Sequence, residues 1–347
     1  MIKINRSPVL TSKNYGVNFF EIDGEALQFK PNCTVDVNVK NCQNQLDIKT
    51  DNIPQSNIGL EFSKQLLNNS NFSKTFEINR DTDEPLQICF NNNQTLIGII
   101  NFKVNSGIHA SVILKVNSNI NAYNNLAINI ILNNNACLDF AIICDLESSS
   151  NNFVSISSKC EINSHLNLNV VNFGSANSVQ NIKVNLNGEL SRTSINSIYF
   201  GGSNEKLSIN YLVNQFGRKS KCNIDVCGVL SNNAYKNFLG TIDFKKGSNQ
   251  SEGSESEHCI MLSNNVKANS TPILLSAEED VNGSHSSSYG KIDDDELFYI
   301  MSRGISKVDA IKLLVKAKLI KLVNCVIDDN LKQEIFKRID EKIDEQN

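Results

Sequence analysis

The residues best suited to metal or nucleophilic chemistry are four histidines and ten cysteines. His285 stands apart from the others. It lies in Asp280-Val281-Asn282-Gly283-Ser284-His285, just ahead of a change from strand-like to helix-like patterning. An imidazole there offers a titratable nitrogen that can ligate a borderline metal or relay a proton. His109 and His165 sit inside strand-like runs, where a turn or rung side chain is the simpler reading. His258 adjoins Cys259, but neighbouring strand residues face opposite ways, so the two do not pair. The cysteines, at 33, 42, 89, 137, 144, 160, 222, 227, 259 and 325, are scattered singly. Cys222 and Cys227 lie five apart in one strand-like run, which puts them on opposite faces; Cys137 and Cys144, seven apart, are separated in the same way. Each thiol therefore reads as a small buried hydrophobe. The acidic run Asp293-Asp294-Asp295-Glu296 lacks the spaced ligands and central glycine of a calcium loop. Negative charge at the start of a helix accounts for it.

Other chemistry is missing from the sequence. There is no Gly-x-x-x-x-Gly-Lys-Ser/Thr loop to cradle phosphates, no Gly-x-Gly-x-x-Gly, no His-Glu-x-x-His, no Gly-x-Ser-x-Gly and no Cys-x-x-Cys. The 347 residues carry a formal net charge of −4, with 33 Lys+Arg against 37 Asp+Glu. That balance, without a concentrated basic face, excludes a grip on nucleic acid phosphates. The opening MIKINRSPVLTSKNYG has no apolar run of signal-peptide length, and no segment approaches the roughly 20 residues needed to span a bilayer. The expectation is a soluble, cytoplasmic protein with no membrane partner. Ten dispersed thiols in a long chain suit that compartment better than a secreted disulfide scaffold.

Positioning such residues falls to short β-rich runs. LQICF (86–90), LIGIINFKV (96–104), ASVILKV (110–116), LAINIIL (126–132), LDFAIIC (138–144), FVSISS (153–158), LNLNVVNF (166–173), IKVNL (182–186), LSINYLV (207–213) and CNIDVCGVL (222–230) recur, most of them starting about 10 to 16 residues apart. Clusters of Asn, Ser or Gly separate them, and Asn tolerates the left-handed backbone of tight corners. Even spacing of this kind means a sandwich, a barrel or a solenoid. Only Asn187-Gly188 and Asn282-Gly283 give a two-residue hairpin signal. Alternation is partial, and stacked coils can bury Asn in side-chain ladders. A right-handed parallel β-helix (a β-solenoid) is favoured over a sandwich. The expected division is an N-terminal segment (1–32), a β-helix core (33–290) and a small α-helical module (291–347).

In that last module the spacing turns helical and charges rise to about two residues in five. Asp293 and Glu296 form a capping pair for a helix that ends at Gly304. Ser306 caps a second helix with Ala310, Ile311, Leu313, Leu314, Ala317 and Leu319 on its apolar side. Asp328 or Asp329 caps a third, where Leu331, Ile335, Ile339 and Ile343 form an apolar stripe.

The segment 238–320 resembles the SufB/SufD family of iron–sulfur cluster assembly proteins. FLGTIDFKKGSNQSEG (238–253) is similar to a rung of that family, and CIMLSNNVKANSTPILLSAEEDVNGSHSSSYGKIDDDELFYIMSRGIS (259–306) is similar to its signature. Ser284-His285-Ser286-Ser287-Ser288 looks like the Ser-His-Gly-Ala-Thr of the SufD branch. The SufB cysteine before Ala-Asn-x-x-Pro falls on Val266. In one departure, Gly283 stands where the SufD pattern has a cysteine, so this subunit offers no thiolate at that point.

The resemblance implies a β-helix scaffold that is not itself an enzyme. It implies pairing with a SufB-like paralogue, and docking of a SufC-like ABC-type ATPase on the helical module. It implies no stably bound cofactor: an iron–sulfur cluster would form transiently at the partner interface, and ATP would be handled by SufC. His285 becomes the cluster-assembly and transient metal candidate. Phe298, Tyr299, Arg303, Gly304, Ala310 and Leu313 become docking candidates, with Phe298 and Tyr299 alternatively pinning the module to the β-helix. The competing readings are a SufB-like scaffold and a carbohydrate-active or adhesive β-helix.

Overall fold

The computed structural model describes residues 1–9, 18–31, 33–42, 45–46, 56–91 and 93–345. Short pieces come first: β1 (Ile2–Ile4), β2 (Phe20–Ile22), β3 (Val37–Lys40), β4 (Gln45–Leu46), α1 (Leu60–Asn69) and β5 (Phe72–Ile78). A regular series of strands follows, beginning with β6 (Leu86–Asn91), β7 (Thr95–Val104), β8 (His109–Ser118), β9 (Tyr123–Leu132) and β10 (Cys137–Leu146). It continues through β11 (Asn151–Cys160), β12 (His165–Asn172), β13 (Asn177–Leu186), β14 (Arg192–Gly201) and β15 (Lys206–Gln215). The last strands are β16 (Lys221–Leu230), β17 (Tyr235–Phe244), β18 (Ser251–Met261), β19 (Lys267–Ser276) and β20 (Val281–Lys291). Helices α2 (Asp294–Met301), α3 (Lys307–Val323) and α4 (Asp329–Asp344) end the described chain.

Strands alternate between two sheets. β6 and the even strands to β20 form one, β5 and the odd strands to β19 the other, and β3 and β4 cap the far edges in antiparallel pairing. All other pairs in these sheets are parallel and in register, so Cys137 lies between His109 and His165. The chain therefore winds as a β-solenoid of about eight turns. Parallel in-register stacking places like beside like. Asn129 donates to Asn101 at 2.8 Å, 28 positions away, and Asn124 donates to buried Asn152 at 2.6 Å. Asn214 donates to Asn185 at 2.8 Å. Asn135, Asn163 and Asn232 take positive φ at corners between strands, where an Asn side chain tolerates the left-handed region.

The inward face of both sheets fills the lumen with Leu, Ile, Val and Phe. Each outer face has its own cover. Ile4, Phe20, Ile58, Phe62 and Leu66 lie over Ile97, Tyr123, Phe153 and Val179 of the odd-strand sheet. α3 and α4 lie over the even-strand sheet, packing Val315, Leu319, Leu322, Leu331, Ile335 and Ile339 on Ile143, Val171, Phe200 and Val229.

The expected caps are in place. Asp293 accepts from the backbone N–H of Asp295 and Glu296, Ser306 from Asp309, and Asp328 from Leu331. Leu331, Ile335, Ile339 and Ile343 are all buried. Three expectations change. Residues 60–69 form a helix inside the stretch read as strands, because the outer face of the odd-strand sheet needs a cover. Asn187-Gly188 turns a solenoid corner and Asn282-Gly283 lies within β20, so neither makes a hairpin. On α3, Leu313 and Ala317 face solvent, while Val315, Leu322 and Val323 are buried. Apolar and charged residues are interleaved around α3, so spacing alone did not single out its packed face.

Candidate functional site

Among the described residues no strand pairs beyond the C-terminal end of the solenoid, which is open. β19 and β20 are the edge strands of their sheets, and β20 is exposed along most of its length. His285 sits on β20, one ladder step from Glu255 of β18. Gly283 has the same parity as His285, and a Cβ added there would meet Leu274 and Phe244. His285 therefore projects on the lumen side, at the mouth.

Beneath the mouth is a cluster of ionisable side chains that the lumen encloses. Lys236 of β17 and Glu257 of β18 form an ion pair with both side chains fully buried. Tyr199 donates to Glu257 Oε1 at 2.8 Å and Ser287 to its Oε2 at 3.2 Å. The Lys236 ammonium lies 5.4 Å from the Tyr289 ring and 5.8 Å from that of Phe238. A buried charge pair needs such supplementary partners to offset its desolvation. Burial, and then the Glu257 charge, raise the Tyr199 phenol well above its ordinary value.

Glu255 differs from Glu257. It is 3% exposed, and neither carboxylate oxygen has a hydrogen-bond partner among the described residues. Burial, reinforced by the charge of Glu257, pushes its carboxyl up to about 8. The room for it comes from Gly240 across the lumen, where a Cβ would lie 2.1 Å from Glu255 Oε1. The Cys259 thiol, also enclosed, is pushed up by burial, with Lys236 opposing the shift.

All ten cysteines are free. Cys144, Cys160, Cys222, Cys227 and Cys259 are buried, as the sequence implied, but Cys42 and Cys325 are exposed. Cys222 packs in the lumen and Cys227 under the helices, on opposite faces of β16. His258 faces outward, with Nδ1 2.6 Å from Ser288 Oγ, away from Cys259. Among the described residues no three His, Cys, Asp or Glu are gathered as a metal cage.

The docking candidates are elsewhere. Phe298 is 73% and Tyr299 59% exposed, and α2 buries no side chain. They do not pin the module to the solenoid. Arg303 donates to the Tyr299 hydroxyl at 2.9 Å and lies over its ring. Gly304 follows α2 with φ +88°. Leu313 is exposed, whereas Ala310 is fully buried and serves packing.

Lys236, Tyr199, Glu255 and Glu257 were not singled out from sequence. A signal existed in SEGSESEHC (251–259), where Glu255 and Glu257 share parity with Gly253 and Cys259. Two carboxylates on the inward side of a strand are unusual enough to mark a site.

The fold is a parallel β-solenoid with a buried cluster of ionisable side chains beside its C-terminal edge strands. Residues 89–318, about two-thirds of the chain, match the family model for the SUF system FeS cluster assembly SufBD core domain, and the chain belongs to that family. It is 28% identical over 159 residues to the iron-sulfur cluster assembly protein SufD of Bacillus subtilis, covering 46% of this chain and 36% of that protein. The SufD of Escherichia coli is 27% identical over 165 residues, covering 47% and 38%. A SufBD family protein of Mycobacterium leprae is 24% identical over 200 residues, covering 52% and 51%. The chain thus spans about a third to a half of the length of these relatives. No helix among the described residues is long and apolar enough to cross a membrane.

Proposed function

We propose that this chain is a SufD-like scaffold subunit of a cytoplasmic SufBCD-type complex that assembles nascent iron–sulfur clusters. The observation that carries the reading is His285 at an open solenoid end, within a chain of the SufBD core family. The unpaired edges of β19 and β20 offer main-chain hydrogen bonds to a second solenoid, and a SufB-like paralogue is the partner that fits. The cluster is cargo held between the two chains and not a resident cofactor. His285 supplies one ligand or proton-transfer group. The partner supplies the thiolate, since Val266 stands at the SufB-type cysteine position and Cys259 is enclosed in the lumen.

The chain is not itself an enzyme in this reading. It has no phosphate-cradling loop, and a SufC-like ATPase docks on the exposed Phe298, Tyr299 and Leu313, with Arg303 at the rim. Nucleic acid and membrane have no part. Replacing His285 by Ala is expected to cut cluster delivery to an acceptor apoprotein by at least tenfold while the purified complex keeps its composition. Unchanged delivery from an intact H285A complex would remove His285 from the mechanism.

A further inference from the structure

One corner of the solenoid has features that neither the fold nor the scaffold reading uses. Here the odd strands lead into the even ones, through residues 161–164, 187–191, 216–220 and 245–250. The turns of this corner stack closely. A Cβ on Gly188 would run into the backbone of Ile162, and one on Gly217 into the backbone of Gly188. In each turn one residue takes a left-handed backbone, and its N–H donates to the next turn. Asn163, Leu190 and Lys219 donate in this way to the carbonyls of Glu189, Arg218 and Asn249. A short Asn side chain can offset the crowding of that conformation by a local hydrogen bond, and a leucine has no such means.

Burial does not offset the strain at Leu190, which has φ +62° and is 38% exposed. Ile162 on the turn before is 51% exposed and Phe216 on the turn after 44%. Three large apolar side chains thus stand in water on three successive turns, each about 4.8 Å from the next. Arg192, Arg218, Lys219 and Lys246 border them, and none has an ion-pair partner among the described residues. Lys159, Lys221 and Lys245 are taken up by Glu161, Glu252 and Asp243. Glu189 and, on the next turn, Glu278 are the acids that remain, and Glu278 accepts from the Gly247 N–H at 2.9 Å. The local surplus is therefore positive, in a chain whose net charge is −4.

We propose that this corner is a docking surface for a partner protein, and that the partner presents a short acidic segment with apolar side chains set among its carboxylates. Leu190, Ile162 and Phe216 are the anchors, and an aromatic beside arginine is the pairing that concentrates binding energy at protein interfaces. The surplus cations select an acidic partner and speed its approach. Even strands begin at this corner, whereas β20 ends at the opposite one, where α2 leaves. The surface is therefore separate from the exposed face of α2. It adds a contact to the scaffold reading and does not rest on it.

The test places the photoreactive p-benzoylphenylalanine at position 216 of the full chain in its own cells. After irradiation, mass spectrometry identifies the segment to which it has linked. A protein segment rich in Asp and Glu, with apolar residues among them, is expected. Arg218→Glu combined with Lys219→Glu is expected to cut the adduct at least fivefold, and Leu190→Asn at least threefold. Leu190→Asn also relieves the backbone, so its melting temperature is expected not to fall, which separates a lost anchor from a lost fold. The same photoreactive residue in place of exposed Leu60 on α1 is expected to give no such adduct. No adduct at 216, a linked segment without an acidic excess, lipid in place of protein, or an adduct that survives the charge reversal would overturn the proposal. The scaffold reading is judged separately, by cluster delivery from the H285A complex.

Discussion

At the scale of single residues the site divides into groups that hold and groups that wait. Lys236, Glu257 and Tyr199 hold one another in a fully enclosed network. Removing one charge of such a pair strands the other, at about 3–5 kcal/mol. K236M is expected to lower stability by that order, and adding E257L to recover most of it, as read by urea denaturation. Glu255 has no hydrogen-bond partner among the described residues. Its folded carboxyl is raised from 4.5 to about 8, so between those values the unfolded chain binds fewer protons than the folded one. Stability from this group is therefore complete below about pH 4.5 and is lost as pH rises towards 8. E255Q is expected to flatten the fall in melting temperature across that window; an unchanged slope would mean that Glu255 is ionised in the folded chain. His285 was singled out in the sequence because its motif precedes a change of periodicity and resembles that of the SufD branch. Glu255 and Lys236 were not, because a lone charge in a strand-like run reads as surface until the register shows which face it occupies.

At the scale of elements, the Asn-rich corners and the three helix caps follow directly from local chemistry, and they were readable. What covers a sheet was not. α1 has an ordinary amphipathic pattern, but its need arises from apolar residues on another strand, such as Phe153, which packs on Phe62 at 4.7 Å between ring centroids. α3 and α4 were read as an appended module, yet they seal the outer face of the even-strand sheet. Arg338 ties α4 to the solenoid through Asp145 at 2.8 Å. Ile339→Ala is expected to cost about 2–5 kcal/mol, because it opens a cavity in that layer. Phe298→Ala, on the exposed face of α2, is expected to change stability by less than about 0.5 kcal/mol. Denaturation midpoints for the two variants check the contrast. Truncation before α3 would bare an apolar sheet, so point changes on α2 are the sounder probe of ATPase docking.

At the scale of the whole molecule, the two ends of the solenoid are treated differently. The N-terminal edges are capped by the antiparallel strands β3 and β4. Among the described residues the C-terminal edges end in β19, mostly half-buried, and β20, mostly polar and exposed, and neither has a further strand paired to it. An uncovered edge of this length invites pairing with another chain, and it lies beside the site. The repeat was legible from strand spacing, and the open end was not, since helices follow β20 and only the packing shows that α3 and α4 cover a sheet face and not the strand edge. The most direct measurement is co-purification: the chain, tagged at its N-terminus, is isolated anaerobically from its own cells and its companions are identified. The account predicts recovery of a second SufBD-family solenoid and an ATPase that bears the Gly-x-x-x-x-Gly-Lys-Ser/Thr loop. Recovery of the chain alone, colourless and without an ATPase, would contradict it.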